Sequence, residues 1–161
     1  MKLGTPMRRA EREWWATSYH EAAHAAGRIH YELPLVAVTI TTNGGLTEGG
    51  DPFELDQADD PRLVAEAVTT YAGPLGEAWY LHQTRRLPYR SAVATALRSA
   101  RGDMGNLDEL ARHCGWGRRD LRALEDEAVS LVATVWDSID TIAEALRDHG
   151  SLTGDQVYKI A

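Results

Sequence analysis

Histidines stand at positions 20 and 24 of an alanine-rich run that reads His20-Glu21-Ala22-Ala23-His24, and few stretches restrict a fold more. Ala22, Ala23, Ala25 and Ala26 favour helix. At about 3.6 residues per turn, residues four apart project from one face, one turn apart. Two imidazoles so placed can bind one metal ion. Glu21 falls about 100° round the helix from His20, beside such an ion but off its ligand axis. There it can take a proton from a metal-bound water instead of competing as a ligand. The pattern predicts a zinc hydrolase site, on condition that the chain folds a third ligand back against the pair, because a catalytic zinc takes three protein ligands and an open fourth position. The small alanine side chains would admit a second element closely enough to supply it. Taken alone, the five residues also fit an amphipathic helix carrying two incidental histidines and a solvated glutamate.

The chain has 161 residues, suited to one domain over 1–161 that buries its own core without disulfide staples. Lys and Arg total 17 against 24 Asp and Glu, and the resulting charge of −7 argues against a nucleic-acid surface. Cys114 is the single cysteine, so no intrachain disulfide points to an oxidising compartment. Between His113 and Gly115 it reads as the end of a helix packing on the core, not as a zinc ligand. Lys2, Arg8 and Arg9 are not followed by the apolar run of a signal peptide or membrane span. No G-x-x-x-x-G-K-[ST] phosphate loop is present, so nucleotide hydrolysis by that route is not expected. These features predict a cytoplasmic protein that acts independently of ATP, with no membrane or nucleic-acid partner.

Most of the remaining chain shows helical periodicity. Thr5-Pro6 reads as a cap and first position of a helix running to about His30, with Trp15, Tyr19, Ala22, Ala26 and Ile29 as its buried stripe. Trp14 and Trp15 read as half core and half interface, with a peptide-binding surface as the alternative. After Pro34, the β-branched run 35–42 predicts a strand closed by Asn43-Gly44-Gly45, and 46–60 reads as a loop. Asp60-Pro61 should cap a second helix with the stripe Leu63, Val64, Ala67, Val68, Tyr71, Ala72 and Leu75, which Gly73-Pro74 should bend or interrupt. A helix from about Ser91, a break marked by Gly102 and Gly105, and a helix over about 103–113 follow. One long helix is expected from about Asp120 to about His149, ended by Gly150, and then a short helical tail. The expected class is mainly α with one small β-sheet.

Five blocks then align in order with a known pattern. They are His20–His24, Val38-Thr39-Ile40, Tyr71-Ala72-Gly73-Pro74-Leu75-Gly76-Glu77, Gly102-Asp103-Met104 with Glu109-Leu110-Ala111-Arg112, and Leu152-Thr153-Gly154-Asp155-Gln156-Val157. Together they resemble the peptidase domain of the FtsH-type membrane-tethered AAA+ zinc proteases, over most of residues 14–160. That family has His-Glu-Ala-Gly-His in the first block, where Ala23 replaces the glycine, and a Gly-Gly-Arg-Ala-Ala-Glu helix in the third. The fourth matches its Asn-Asp-Leu/Ile segment, and the fifth its closing Leu-x-Gly-Glu-Glu-Val. The resemblance implies a zincin-like fold, with Asp103 as third zinc ligand and Glu77 as hydrogen-bond partner of a ligand imidazole.

The residues agree in part independently. A carboxylate is a competent third ligand after two imidazoles, and Asp103 falls at a predicted helix start, where it could equally serve as a cap. Asp108 and Glu109 are the fallback ligands, and a surface or capping role fits Glu77 as well. His30, His82, His113 and His149 lack the mutual spacing of a site.

The expected activity is a zinc metalloendopeptidase cutting peptides or unfolded protein segments, with Zn2+ on His20, His24 and Asp103 and with Glu21 as general base. A substrate strand would add along an edge formed by Val38, Thr39, Ile40, Thr41 and Thr42. These residues carry neither the family's ATPase module nor its transmembrane helices, and the stretch 78–102 is longer than the family's. A separate unfoldase or adaptor, and a homo-oligomer, are therefore candidate partners beside the substrate. The alternative is a non-catalytic or dedicated regulatory zincin-like protein acting on or with a single partner protein.

Overall fold

A computed structural model describes residues 8–49, 55 and 59–161. The predicted Thr5-Pro6 cap lies outside these residues, as does most of the second half of the predicted 46–60 loop. Seven helices and one three-stranded antiparallel sheet make up the described residues. None of the helices is long and apolar enough to cross a membrane.

Helix α1 spans Arg9–His30 and buries Tyr19, Ala22 and Ala26 as its periodicity predicts. It ends in a Schellman turn, with Leu33 N–H bonded to Arg28 O at 2.8 Å and Glu32 in the left-handed region at φ 54°. Strands β1, Ala37–Thr41, and β2, Gly44–Glu48, then form a hairpin in which Thr41 faces Gly44 and Val38 faces Thr47. The start of the predicted loop is thus a strand. Its sequence hides this, since two glycines and a single aliphatic residue give β2 no apolar alternation.

Helix α2, Asp60–Arg85, is capped one residue earlier than predicted, because the Asp59 side chain accepts the Arg62 N–H at 3.0 Å and Asp60 is already helical. It passes through Gly73-Pro74 without interruption. Pro74 removes one backbone donor there, but both residues are buried against the rest of the core, and that packing outweighs the local penalty. Helices α3, Tyr89–Ser99, and α4, Arg101–Cys114, are separated by Ala100, whose ψ of 48° leaves the helical region. The break therefore precedes Gly102 and Gly105, which both lie inside α4. Cys114 closes α4, half-buried against the core.

The single long C-terminal helix expected from the stripe is two, α5 Arg118–Thr134 and α6 Trp136–His149, meeting at Val135. Backbone bonds Val135 N–H to Leu131 O and Ile139 N–H to Val135 O bracket the junction, so the apolar spacing continues across it and conceals it. Beyond it Trp136 stacks on Tyr19 with ring centroids 5.5 Å apart. Gly150, at φ 74°, turns the chain into β3, Ser151–Thr153, where the sequence predicts only a lead into a helical tail. Helix α7, Gly154–Ile160, follows with a capping box between Thr153 and Gln156.

The strand order is β2-β1-β3. Val38 and Thr39 pair with Thr47 and Leu46 on one side and with Leu152 and Ser151 on the other, and Ile40 N–H bonds Gly150 O. This corrects the expected substrate edge at Val38, Thr39, Ile40, Thr41 and Thr42. β3 covers the flank that would have received a substrate, Thr41 pairs with Gly44, and Thr42 sits in the hairpin turn. Among the described residues the outer edges of β2 and of β3 have no second strand beside them, and of the two only β2 borders the face of α1 that carries His20.

The core lies where α1, α2 and α6 meet the inner face of the sheet, with Leu75, Ile139, Ile142, Leu146 and Val38 fully buried. Trp15 stacks with Tyr19 and Tyr80, and the Arg147 guanidinium lies 4.4 Å from its ring centre. Trp14 and Trp15 are both half-buried and packed on the core.

Candidate metal centre

The face of α1 opposite its core stripe carries His20 and His24, and three other elements close on it. From α2, the Thr69 carbonyl lies 2.9 Å from His24 Nδ1, and Glu77 Oε2 lies 3.0 Å from His20 Nδ1. A carbonyl and a carboxylate can only accept, so each Nδ1 carries the proton and each Nε2 points into the site. From the first turn of α4, Asp103 places Oδ2 at 2.9 Å from His20 Nε2 and Oδ1 at 3.4 Å from His24 Nε2. The two Nε2 atoms are 3.2 Å apart.

His20, His24 and Asp103 are the one group of three metal-competent side chains found among the described residues. Ligands at about 2.0–2.1 Å from a tetrahedral zinc stand about 3.3–3.4 Å from one another. The two Nε2 atoms at 3.2 Å stand near that spacing and the Asp103 oxygen at 2.9 Å from His20 Nε2 somewhat inside it, so the trio could close on a small divalent ion, and two nitrogens with a carboxylate are a donor set that zinc accepts.

The electrostatics of the trio favour a cation at the same point. Burial alone would lower the His20 pKa, but hydrogen bonds to Asp103 and Glu77 outweigh it and raise the value to about 10. Burial alone would raise that of Asp103, yet the two imidazoles hold its carboxyl well below the usual carboxylate range. Without metal, a proton thus sits where an ion would sit.

Glu21 is buried beside the trio, beneath the hairpin. Thr47 Oγ1 lies 2.7 Å from its Oε2 and 3.3 Å from its backbone oxygen. Gly45 of β2 makes the approach possible, since a Cβ there would stand 2.3 Å from Glu21 Cγ. At the far end of α1, Arg28 forms a two-pronged ion pair with Glu66 of α2 at 3.0 and 3.3 Å, both side chains largely buried. It locks α1 to α2 one turn beyond His24.

A groove of about 700 Å³ runs along this face. The hairpin residues Thr42–Thr47 form one wall and Ser99–Asp103, at the α3–α4 junction, form part of the other.

His20, Glu21, His24, Glu77 and Asp103 come together in this way, while the fallback ligands Asp108 and Glu109 are exposed on α4 and outside the trio. His30, His82, His113 and His149 also lie outside it. Thr47, the Thr69 carbonyl and the Arg28–Glu66 pair carry no sequence pattern of their own. Gly45 left a signal, but it reads as a turn residue. Comparison with models of known protein families gives no match, and comparison with curated protein sequences gives none either.

Proposed function

We propose that this protein is a zinc-dependent metallopeptidase of the FtsH type, cutting peptides or unfolded protein segments. The observation that carries the reading is the convergence of two imidazole nitrogens and one carboxylate, with a second carboxylate, Glu21, buried alongside. His20, His24 and Asp103 would hold the ion. Bound zinc supplies Lewis-acid polarisation of a carbonyl and a lowered pKa for water.

Each of the chain's own groups has a part that its position supports. Thr69 and Glu77 fix the two imidazoles with Nε2 inward. Glu21 accepts a proton from the attacking water and returns it to the leaving amine as the peptide bond breaks. The chain to be cut lies extended along the outer edge of β2, where backbone pairing accepts many sequences and where Gly44–Thr47 border the groove. An extended strand is a conformation that peptides and unfolded segments readily adopt.

The test is Glu21→Gln in zinc-loaded protein. The variant should keep its metal and lose turnover of an unstructured peptide by about 100-fold or more, as expected for removal of a general base. Turnover equal to that of the parent would remove Glu21 from the mechanism.

A further inference from the structure

Glu21 has two chemically equivalent oxygens, and the structure treats them differently. Oε2 accepts the Thr47 hydroxyl at 2.7 Å. Oε1 accepts no hydrogen bond among the described residues, and the one buried side-chain polar atom without a partner there is Thr69 Oγ1. Glu21 lines the groove, and Oε1 lies 2.6 Å from where a Cβ of Gly45 would stand, so it packs against that bare Cα. One oxygen is tethered and the other is left without a donor.

We infer that Thr47 is the positioning residue of Glu21, anchoring Oε2 so that Oε1 alone handles the proton. This rests on the peptidase reading for its catalytic consequence, but not for the anchoring itself. A carboxylate that can turn about its Cγ–Cδ bond presents a given oxygen only part of the time, and a hydroxyl fixed on a strand removes that freedom. The β1–β2 hairpin suits the task, since Thr47 faces Val38, a fully buried residue of the central strand. It also joins two events. The strand that receives the substrate backbone is the strand that aims the base, so a substrate seated along β2 meets Glu21 already oriented.

The experiment compares parent, Thr47→Val and Thr47→Ser in zinc-loaded protein. Valine keeps the β-branched shape and suits a strand but has no donor; serine restores the donor. Two readouts are taken on each. The first is the 13C carboxyl resonance of Glu21 at one neutral pH, assigned by its loss in Glu21→Gln. The second is kcat and KM on an unstructured peptide.

The expected result is a shifted Glu21 resonance in Thr47→Val that returns in Thr47→Ser. With it, kcat should fall about 10-fold in the valine variant, a fraction of the roughly 100-fold or more that a general base contributes, at unchanged KM and zinc content and with recovery by serine. An unmoved resonance in Thr47→Val, or a kcat loss that serine fails to recover, overturns the inference. If the parent itself cleaves nothing while the resonance responds as described, the anchoring stands and the peptidase reading falls.

Discussion

A Cβ on Gly73 would stand 2.3 Å from Nε2 of His24, so the imidazole occupies its place only because residue 73 has no side chain. The same ring is held from α2 by the Thr69 carbonyl, one turn earlier. Helix α2 therefore both admits and orients the second histidine.

Gly73→Ala is the sharpest test of that arrangement. In an ordinary exposed helix the change would stabilise by about 1 kcal/mol. Here it should displace His24 and lower zinc affinity by roughly 10- to 100-fold, the loss typical when the support of a ligand is removed. Competition against a chelator gives the affinity, and circular dichroism checks that the helix content is kept. Unchanged affinity would mean that His24 does not need the space.

Metal uptake should depend on pH in a defined sense. His20, raised to about 10 by Asp103 and Glu77 against the opposing effect of burial, is protonated at neutral pH in the metal-free protein. Binding at Nε2 must displace that proton. Calorimetry in buffers of different ionisation enthalpy should show about one proton released per ion at neutral pH, and affinity should rise about tenfold per pH unit.

The metal-free fold carries the complementary dependence. A His pKa raised above its unfolded value of about 6.5 stabilises fully below that value and loses the contribution as pH climbs towards 10. Asp103, held low, adds stability that is present above its unfolded value of about 3.9 and is lost as pH falls below it. Urea midpoints of the metal-free protein should therefore decline on both sides of a maximum between these limits. A midpoint that rises from neutral pH towards 10 would contradict this account of the trio.

Away from the site, Glu32 sits in the left-handed region at φ 54° at the end of α1, exposed to solvent. Glu32→Gly removes the strain of a side chain in that conformation. It should stabilise by about 0.5–1 kcal/mol in urea unfolding with no change in zinc affinity. A loss of stability would show that the Glu32 side chain contributes more than its backbone strain costs.

Much of this architecture was legible in the sequence because it rests on period and residue type. The α1 stripe, the His20–His24 pair and the general run of helices follow from 3.6-residue spacing, whereas the nearness of Asp103 and Glu77 to His20 was implied only by the resemblance to the FtsH-type peptidase pattern. What stayed hidden has no such signature. β2 lacks apolar alternation, so neither the hairpin nor Thr47's contact with Glu21 could be read. The central position of β1 depends on β3, three residues brought in from more than a hundred positions away. The kink at Val135 and the break at Ala100 turn on single ψ angles in sequences that otherwise favour helix. The Thr69 carbonyl is backbone, and any residue at that position would have offered it.

The account stands on a metal ion held by His20, His24 and Asp103. Zinc stoichiometry by plasma mass spectrometry, on parent, His24→Ala and Asp103→Ala after zinc exposure and desalting, tests it most directly. The prediction is about one zinc per chain in the parent and about a tenth of that or less in each variant, with helix content retained. A parent that holds no zinc, or variants that hold as much as the parent, would contradict it.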